Sequence, residues 1–253
     1  MIRPRVIPAL LLKGQGLVKT VKFKDPKYLG DPIIIVKIFN DKEVDELIFL
    51  DITATNEKRH PLFEMLAKIT SECFMPLGCG GGIRSLVDVK TLLGLGIEKV
   101  ILNTVSVENP EFVTEVAEYA GSQAVVVSMD VKKGLLGKYE VVTHSGKTGV
   151  GLDPVRHALE MEKRGAGELF VNAIDRDGMM QGYDLDLIRR VAGAVSIPVI
   201  ACGGAGNLQH LAEAIQQGGA SAAAAGSMFV FQGPLRGVLI SYPSQEELRR
   251  VLP

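Results

Sequence analysis

Tryptophan is absent from this 253-residue sequence, and cysteine and histidine are scarce, with three and four copies. Cys73, Cys79 and Cys202 cannot all pair with one another, and no two of them form a C-x-x-C motif. This argues against a disulfide framework and against a zinc site. The histidines show neither an H-E-x-x-H motif nor another paired metal spacing. The sequence therefore indicates no metal and no cofactor.

A surplus of either charge and a long hydrophobic run are also missing. Lys and Arg number 28 against 29 Asp and Glu, a formal net charge of −1, so no strong field would attract the chain to nucleic acid or to an anionic membrane. No apolar run reaches the roughly 18 residues that span a bilayer, and the apolar part of the amino terminus is too short for a cleaved signal peptide. We expect a cytoplasmic protein without nucleic-acid or membrane partners.

Eight short apolar runs are present, and a helical pattern follows each of them. Such runs are typical of parallel strands that are covered on both faces. Eight strand–helix units in a chain of about 250 residues predict one α/β domain, a (βα)8 TIM barrel. An open doubly wound sheet is the alternative, but no G-x-G-x-x-G motif follows the first run. The predicted strands are Val6–Leu12, Glu46–Asp51, Met75–Cys79, Lys99–Asn103, Ala124–Asp130, Glu168–Ala173, Ile197–Cys202 and Ser221–Gly226.

Amphipathic segments between the runs predict helices. Asn207 is a candidate N-cap for one of these helices, and Ser244–Glu247 has the pattern of a capping box that would open a final helix. The clearest of the amphipathic segments are Pro61–Ile69, Asp184–Val195 and Leu208–Gln217.

An internal repeat divides the chain into two halves. Residues 76–82 (PLGCGGG) match residues 198–204 (PVIACGG) at an offset of 122 residues, and the same offset pairs Glu46 with Glu168. Because this register holds over several predicted elements, we expect two (βα)4 half-barrels, at about residues 1–122 and 123–253.

Glycine clusters follow two of the predicted strands, and the next strand of each half ends in further hydrogen-bond donors. Strand carboxyl ends face the active site of a TIM barrel, and glycine there lets backbone N–H groups approach a phosphate closely. Two such cradles imply a ligand with a phosphate at each end, whereas tight turns without a ligand are the alternative. The first cradle comprises Gly81, Gly82, Asn103 and Thr104, and the second comprises Gly203, Gly204, Gly226 and Ser227.

Carboxylates stand at other strand ends. Asp51 and Asp130 close their strands, where a general acid or base would act. Asp175, Asp177 and Gly178 belong to a D-R-D-G loop after the sixth strand. For these carboxylates, loop capping or a salt bridge with the intervening arginine is the structural alternative.

Leu11 occupies the position of a second acid. Residues 9–13 align with residues 128–132 at an offset of 119, which sets Leu11 against Asp130. A symmetric pair of acids would suit acid–base chemistry on a central substrate. This chain holds one of the two, and a leucine cannot exchange a proton.

Charges also appear at the amino ends of four strands. Arg5, Glu46, Lys99 and Glu168 would form a ring of two cations and two anions across the bottom of the barrel. The ring is either a stabilising plug or a gate for a small neutral molecule. The basic segment from Lys13 to Lys27 is either a lid over an anionic substrate or a solvated surface loop.

Taken together, these residues closely resemble the HisF family, the cyclase subunits of imidazole glycerol phosphate synthase. The resemblance extends over essentially the whole chain, and the set of motifs is highly specific. The matching motifs are GDP (Gly30–Pro32), DELIFLDIT (Asp45–Thr53), CGGGI (Cys79–Ile83), LNT (Leu102–Thr104), GSQAVVVSMD (Gly121–Asp130), RGAGEL (Arg164–Leu169), DRDG (Asp175–Gly178) and CGGAG (Cys202–Gly206).

The resemblance implies a (βα)8 barrel that pairs with a HisH-like glutaminase. Ammonia from glutamine would enter the barrel bottom through the four charged residues, which favours the gate over the plug. The family's ligand is a nucleotide with two phosphates, in agreement with two cradles. Asp130 would be one catalytic acid or base, and Lys19 would belong to a mobile loop over the substrate.

Three departures distinguish this chain from the family. The second catalytic aspartate of the family falls on Leu11, and the Asp-Gly-Arg pattern after the first strand is replaced by Gly14–Gly16. The tail at residues 229–248 (FVFQGPLRGVLISYPSQEEL) resembles HisF-like proteins of surface-polysaccharide clusters, which work with a glutaminase and a separate sugar amidotransferase. One hypothesis is therefore an ammonia-conducting subunit in sugar amidation with impaired cyclase chemistry. The other is an authentic cyclase of histidine biosynthesis.

Overall fold

The computed structural model describes residues 3–134 and 136–253. Its strands follow one another along the chain in this order. They are β1 (Arg5–Lys13), β2 (Gly16–Val21), β3 (Lys24–Gly30), β4 (Leu47–Asp51), β5 (Leu77–Gly80), β6 (Lys99–Leu102), β7 (Val125–Lys133), β8 (Tyr139–Thr143), β9 (Thr148–Leu152), β10 (Glu168–Ala173), β11 (Val199–Cys202), β12 (Ala222–Ala225), β13 (Phe231–Gln232) and β14 (Gly237–Val238).

Helices connect most of these strands, and short 3₁₀ turns lie at Ser122–Ala124 and Ile174–Arg176. The α-helices are α1 (Pro32–Asp41), α2 (Phe63–Thr70), α3 (Leu86–Gly94), α4 (Thr104–Glu108), α5 (Glu111–Ala120), α6 (Pro154–Lys163), α7 (Leu185–Ala192), α8 (Leu208–Gln216), α9 (Ser227–Val230) and α10 (Gln245–Val251).

Eight parallel strands close into a TIM barrel, which confirms the predicted fold class. The ring runs β1-β4-β5-β6-β7-β10-β11-β12 and returns to β1, with every neighbouring pair parallel. The strand predicted at Glu168–Ala173 has those bounds, and no other predicted end shifts by more than three residues. The division into half-barrels stays a prediction.

Local sequence explains where several helices begin. The Asp31 side chain accepts hydrogen bonds from two N–H groups of the first turn of α1, with a proline at the first helical position. Asp153 starts α6 in the same way. The predicted N-cap Asn207 accepts from the His210 N–H, and the capping box of Ser244 and Glu247 is present.

A pair of antiparallel extensions was missed by the sequence analysis. The segment from Lys13 to Lys27, expected as a loop, instead forms most of the hairpin β2–β3, which extends β1. The hairpin β8–β9 extends β7 in the same manner. In the first hairpin Leu17 and Val18 are buried while β3 is mostly exposed. The basic residues of this segment therefore made it look like a loop, whereas burial of Leu17 and Val18 stabilises β2 as a strand.

The apolar interior divides into two layers. A large cluster fills the space between the barrel and the helices. A smaller one fills the inside of the barrel and comprises Ile7, Ala9, Ile48, Ile101, Val126, Phe170, Ile200, Ala222 and Ala224.

Candidate active site

A cavity of about 420 Å³ lies over the carboxyl ends of the barrel strands. Its lining combines apolar and polar side chains. Ala9, Leu11, Leu50 and Ile101 contribute hydrocarbon from the first part of the chain. The predicted site residues that line it are Lys19, Asp51, Gly81, Asn103, Thr104, Asp130, Asp177 and Gly226.

Asp130 is buried in the wall of this cavity and is held by two amides. Asn103 Nδ2 donates to its Oδ2 at 2.9 Å, and Asn172 Nδ2 donates to its Oδ1 at 3.1 Å. Burial raises the pKa of Asp130 to about 6, while the bonds from Asn103 and Asn172 act in the opposite direction. A carboxyl group with this pKa exchanges a proton near neutral pH, as a general acid or base must.

Asn172 is a site residue that the sequence analysis missed. It is a polar residue that follows the apolar run Leu169–Val171 near the carboxyl end of β10, which is the signal that could have identified it. Its Nδ2 faces Asp130, and its Oδ1 is buried without a hydrogen-bond partner among the described residues.

Leu11 and Asp130 occupy equivalent places in the sheet. Leu11 lies opposite Val18 of the antiparallel extension and Leu50 of the next barrel strand. Asp130 lies opposite Val142 of its extension and Asn172 of its next barrel strand. In the first half of the chain, leucines therefore replace both the acid and the amide that holds it.

Lys19 belongs to β2, within the connection between β1 and α1, and is 6% exposed, while its membership of a mobile loop over the substrate stays a prediction. Its Nζ lies 2.7 Å from Asp177 Oδ1, and the Thr20 hydroxyl donates to Asp177 Oδ2 at 3.0 Å. The Lys22 N–H also donates to the Asp177 carbonyl oxygen. These bonds fix the hairpin β2–β3 against the D-R-D-G loop at the mouth of the cavity.

The carboxylates Asp51 and Asp175 are held by their own loops. Asp51 accepts from the Thr53 and Ala54 N–H groups, and its Oδ2 lies 2.7 Å from Arg59 Nη1. Asp175 is exposed, accepts from the Lys133 N–H at 2.8 Å and does not line the cavity. In this structure Asp175 therefore caps its loop, and its contact with a ligand stays a prediction.

The first phosphate cradle depends on a close approach of backbones. Gly81 has a φ of +103°, and a Cβ there would lie 2.3 Å from the Asp51 carbonyl oxygen. Gly82 packs against Ala54 and the Arg59 carbonyl oxygen and does not line the cavity. The Asn103 amide is used by Asp130, and the Thr104 hydroxyl accepts from the His144 N–H at 3.2 Å.

The second phosphate cradle contains an unpartnered hydroxyl. Ser227, the first residue of α9, is 4% exposed, and its Oγ has no hydrogen-bond partner among the described residues. The Lys19 Cε atom lies 2.7 Å from where a Cβ on Gly226 would be, so the lysine stem crosses this cradle. A donor hydroxyl at a helix start beside a lysine is suited to an anion.

Three glycines of the predicted site do not line the cavity, and their lack of a side chain lets neighbouring backbone segments approach closely. Gly203 and Gly204 have φ values of +89° and +117°, and a Cβ on Gly204 would lie 2.1 Å from the Gly182 carbonyl oxygen. A Cβ on Gly178 would lie 2.5 Å from the Thr20 carbonyl oxygen. These residues allow the loops around the second cradle to pack closely.

At the amino end of the barrel the four predicted charges meet in one ring. Arg5 is paired with both Glu46 and Glu168. Lys99 Nζ lies 3.0 Å from Glu46 Oε2 and 2.7 Å from Glu168 Oε2. Burial opposes the charge of Arg5, but the attraction of the two glutamates outweighs it and raises the pKa of the guanidinium. We call these four residues the charged ring.

The apolar layer inside the barrel lies between the charged ring and the cavity. Cys202 lines the cavity at its upper edge, and burial raises the pKa of its thiol to about 12. The thiol is therefore protonated at neutral pH and is a poor nucleophile.

Within residues 3–134 and 136–253, no cluster of three or more metal-ligating side chains is found. Over the same ranges, no helix is long and apolar enough to cross a bilayer.

The fold and the position of the cavity define a TIM-barrel protein with its candidate site at the carboxyl ends of the strands. Residues 5–235 match the model of a family described as "Histidine biosynthesis protein". A Pseudomonas aeruginosa protein, provisionally named imidazole glycerol phosphate synthase subunit hisF2, is 48% identical over 98% of this chain and 99% of its own.

Two further relatives match over most of their length. A Vibrio vulnificus protein, provisionally named subunit hisF3 of the same synthase, is 46% identical over 100% of this chain and 97% of its own. The imidazole glycerol phosphate synthase subunit HisF of Alkaliphilus metalliredigens is 44% identical over 90% of this chain and 91% of its own. The chain belongs to the HisF family.

Proposed function

We propose that this chain is the barrel subunit of a glutamine-dependent, cytoplasmic synthase. A HisH-like glutaminase docks at the amino end of the barrel and releases ammonia there. The ammonia passes the charged ring and the apolar layer and reaches the cavity at the carboxyl end. The observation that carries this proposal is the placement of a ring of paired charges at one end of an apolar barrel and of the cavity that holds Asp130 at the other end.

The chemistry of the path suits neutral ammonia. The interior layer offers hydrocarbon from residues such as Ile48 and Phe170, through which an ammonium ion would cross only at a large desolvation cost. Lys99 is the ring member proposed to move, because its ammonium is a compact charge on a flexible stem and both of its glutamate partners keep their pairing with Arg5 when it leaves. The role of the four residues as a gate is thus supported by their pairing pattern.

At the carboxyl end the proposed ligand is a phosphorylated small molecule. The unpartnered Ser227 hydroxyl, Gly226 and the Lys19 stem favour a phosphate at the second cradle. The Gly81 backbone and Thr104 are candidates at the first cradle. Asp130 is the proposed acid or base between the two ends.

Leu11 limits the reaction that this site can perform. A cyclase mechanism that uses two acids would find one of them here, Asp130. At the equivalent places of the first half, Leu11 and Leu50 offer only hydrocarbon instead of a carboxyl and an amide group. Loss of a general acid or base costs about 10²–10⁴-fold in rate. We therefore propose that cyclase turnover is impaired while the ammonia path is retained.

The acceptor of the ammonia is proposed to be a sugar of a surface polysaccharide, amidated by a separate sugar amidotransferase. This finer part rests on the resemblance of the tail at residues 229–248 and on Leu11. The alternative is an authentic cyclase of histidine biosynthesis, which converts the bisphosphate nucleotide and ammonia to imidazole glycerol phosphate and aminoimidazole carboxamide ribotide. The retained Asp130, with its pKa near neutrality, favours that alternative.

Cyclase turnover with ammonium in place of glutamine separates the two candidates. The purified chain is assayed at saturating ammonium salt with the family's ribulosyl nucleotide, beside Asp130→Asn and Leu11→Asp. We expect turnover at least 100-fold below that of a two-aspartate HisF and partial recovery in Leu11→Asp. Turnover equal to the two-aspartate enzyme, abolished by Asp130→Asn, would establish the cyclase and overturn the proposal.

A further inference from the structure

Phe74 is the most exposed aromatic side chain among the described residues, with 84% of its surface open to solvent. It lies in the connection between α2 and β5, three residues before the strand begins. It is therefore at the amino end of the barrel, on the same face as the charged ring. At this exposure the side chain contributes little to the packing of the fold and is free to contact a partner.

The loop that carries Phe74 is fixed from both sides by one residue of α1. The Phe74 N–H donates to Asn40 Oδ1 at 3.1 Å, and Asn40 Nδ2 donates to the Glu72 carbonyl oxygen at 2.6 Å. The half-buried Cys73 thiol also bonds to the Met75 carbonyl oxygen. A fixed loop loses little conformational entropy when its exposed side chain is bound.

This loop lies directly beside the entrance to the barrel. The Leu47 N–H donates to the Pro76 carbonyl oxygen at 2.9 Å, and the Glu98 N–H donates to the Leu77 carbonyl oxygen at 3.0 Å. Leu47 and Glu98 are the chain neighbours of Glu46 and Lys99. Phe74 is thus carried by the loop that leads into β5, and β5 lies between β4 and β6, at whose amino ends Glu46 and Lys99 stand.

Two acidic residues lie at the same end of the barrel, Glu72 in the loop that carries Phe74 and Glu98 just before β6. Glu72 is partly exposed, with its carboxylate 3.3 Å from Lys37. Glu98 is exposed and lies close enough to Cys73 for its charge to contribute to the raised pKa of that thiol, behind the larger effect of burial. The surface complementary to this patch is an apolar socket with basic side chains at its edge.

We infer that Phe74 is the apolar anchor by which the glutaminase docks beside the charged ring, with its basic side chains facing Glu72 and Glu98. The inference rests on the proposed function, which sets a glutaminase at this end of the barrel. A buried aromatic anchor next to the ring would also exclude water from the point at which ammonia enters. It would hold the two active centres in line.

The test measures the dissociation constant between the full chain and the HisH-type glutaminase of the same genome. Phe74→Ala is compared with Val87→Ala, which removes a side chain of 71% exposure on α3, and with the conservative Phe74→Leu. We expect Phe74→Ala to weaken binding at least tenfold, Val87→Ala to bind as the wild type does, and Phe74→Leu to recover most of the affinity. Charge reversal in Glu98→Lys is expected to weaken binding further and to reduce its salt dependence.

Unchanged affinity of Phe74→Ala for a glutaminase that the wild type binds would overturn the anchor and leave the proposed function standing. Failure of the wild type to bind the glutaminase would overturn the proposed function and the anchor with it. Light scattering of the chain alone distinguishes another occupant, since a dimer that Phe74→Ala dissociates would show that a second copy covers this patch. The melting temperatures of the variants, expected to match the wild type, exclude misfolding as the cause.

Discussion

The Lys19 ammonium lies 2.7 Å from the Asp177 carboxylate, although 158 residues separate the two in the chain. Both side chains are at least nine-tenths buried, and both line the cavity. The pair joins the hairpin β2–β3 of the first half to the D-R-D-G loop of the second. It therefore fixes the hairpin at the mouth of the cavity, with the Lys19 stem beside Gly226.

Replacement of this lysine tests the pair. In Lys19→Met the buried Asp177 keeps the Thr20 hydroxyl but loses its counter-charge, and we expect a loss of about 3 kcal/mol in the free energy of unfolding. Urea denaturation at pH 7 measures it, with the exposed Lys163→Met as the control. The double variant Lys19→Met/Asp177→Asn should recover part of the loss, because no charge is then left unpaired. Simple additivity of the two substitutions would contradict the ion-pair interpretation.

The stability of the protein depends on the ionisation of Asp130. Its pKa is about 6 in the folded chain and 3.8 ordinarily, so between these values the folded state binds more protons than the unfolded state. Stability from this group therefore falls as the pH rises, by about 3 kcal/mol in all. Roughly 1.5 kcal/mol of the change falls between pH 5 and pH 8.

The difference in unfolding free energy between the wild type and Asp130→Asn isolates this effect. Burial lowers the pKa of His157 to about 4, so the contribution of this residue to the free energy of unfolding rises with pH. That contribution is the same in both proteins and cancels in the difference. We expect the wild type to lose stability relative to Asp130→Asn between pH 5 and pH 8. A difference that is constant over this range would show that Asp130 titrates at its ordinary pKa.

Inorganic phosphate should bind at the second cradle. We expect it to raise the melting temperature of the wild type in proportion to the logarithm of its concentration, and to bind Ser227→Ala roughly fivefold more weakly, since one hydrogen bond is removed. Ser221→Ala, at the opposite end of the same strand, is the matched control. An equal stabilisation of Ser227→Ala and wild type by phosphate would place the anion elsewhere.

Removal of the Lys99 ammonium should open the charged ring if the four residues act as the proposed gate. In Lys99→Ala both glutamates keep Arg5, so we expect the glutaminase to bind as it does to the wild type. Ammonia formed from glutamine should then escape into solution instead of reaching the acceptor, and the ratio of ammonia released to product formed measures this. The exposed Lys90→Ala serves as control. Full coupling in Lys99→Ala would argue for a plug.

Much of the architecture could be predicted from local pattern. The runs at Val6–Leu12 and Glu168–Ala173 are apolar because both faces of a barrel strand are covered, and the glycines at 81 and 203 are needed wherever a strand end approaches a neighbouring backbone. These are short-range requirements, which the chain must encode locally. The charges of Arg5, Glu46, Lys99 and Glu168 could be assigned to one end of the barrel for the same reason.

Contacts between distant segments could not be predicted in this way. The burial of Lys19 depends on its pairing with Asp177, and the loop of Asp175 turns that carboxylate towards the Lys133 N–H. Asn172 escaped notice because an amide near a strand end acquires meaning only when Asp130 of the neighbouring strand is set against it. The sequence by itself determined the barrel, the ends at which its functional groups lie and the loss of an acid at Leu11. The tertiary structure alone decided which polar groups pair, because burial and partner distance fix the energy of a charge, and neither is a local property of the chain.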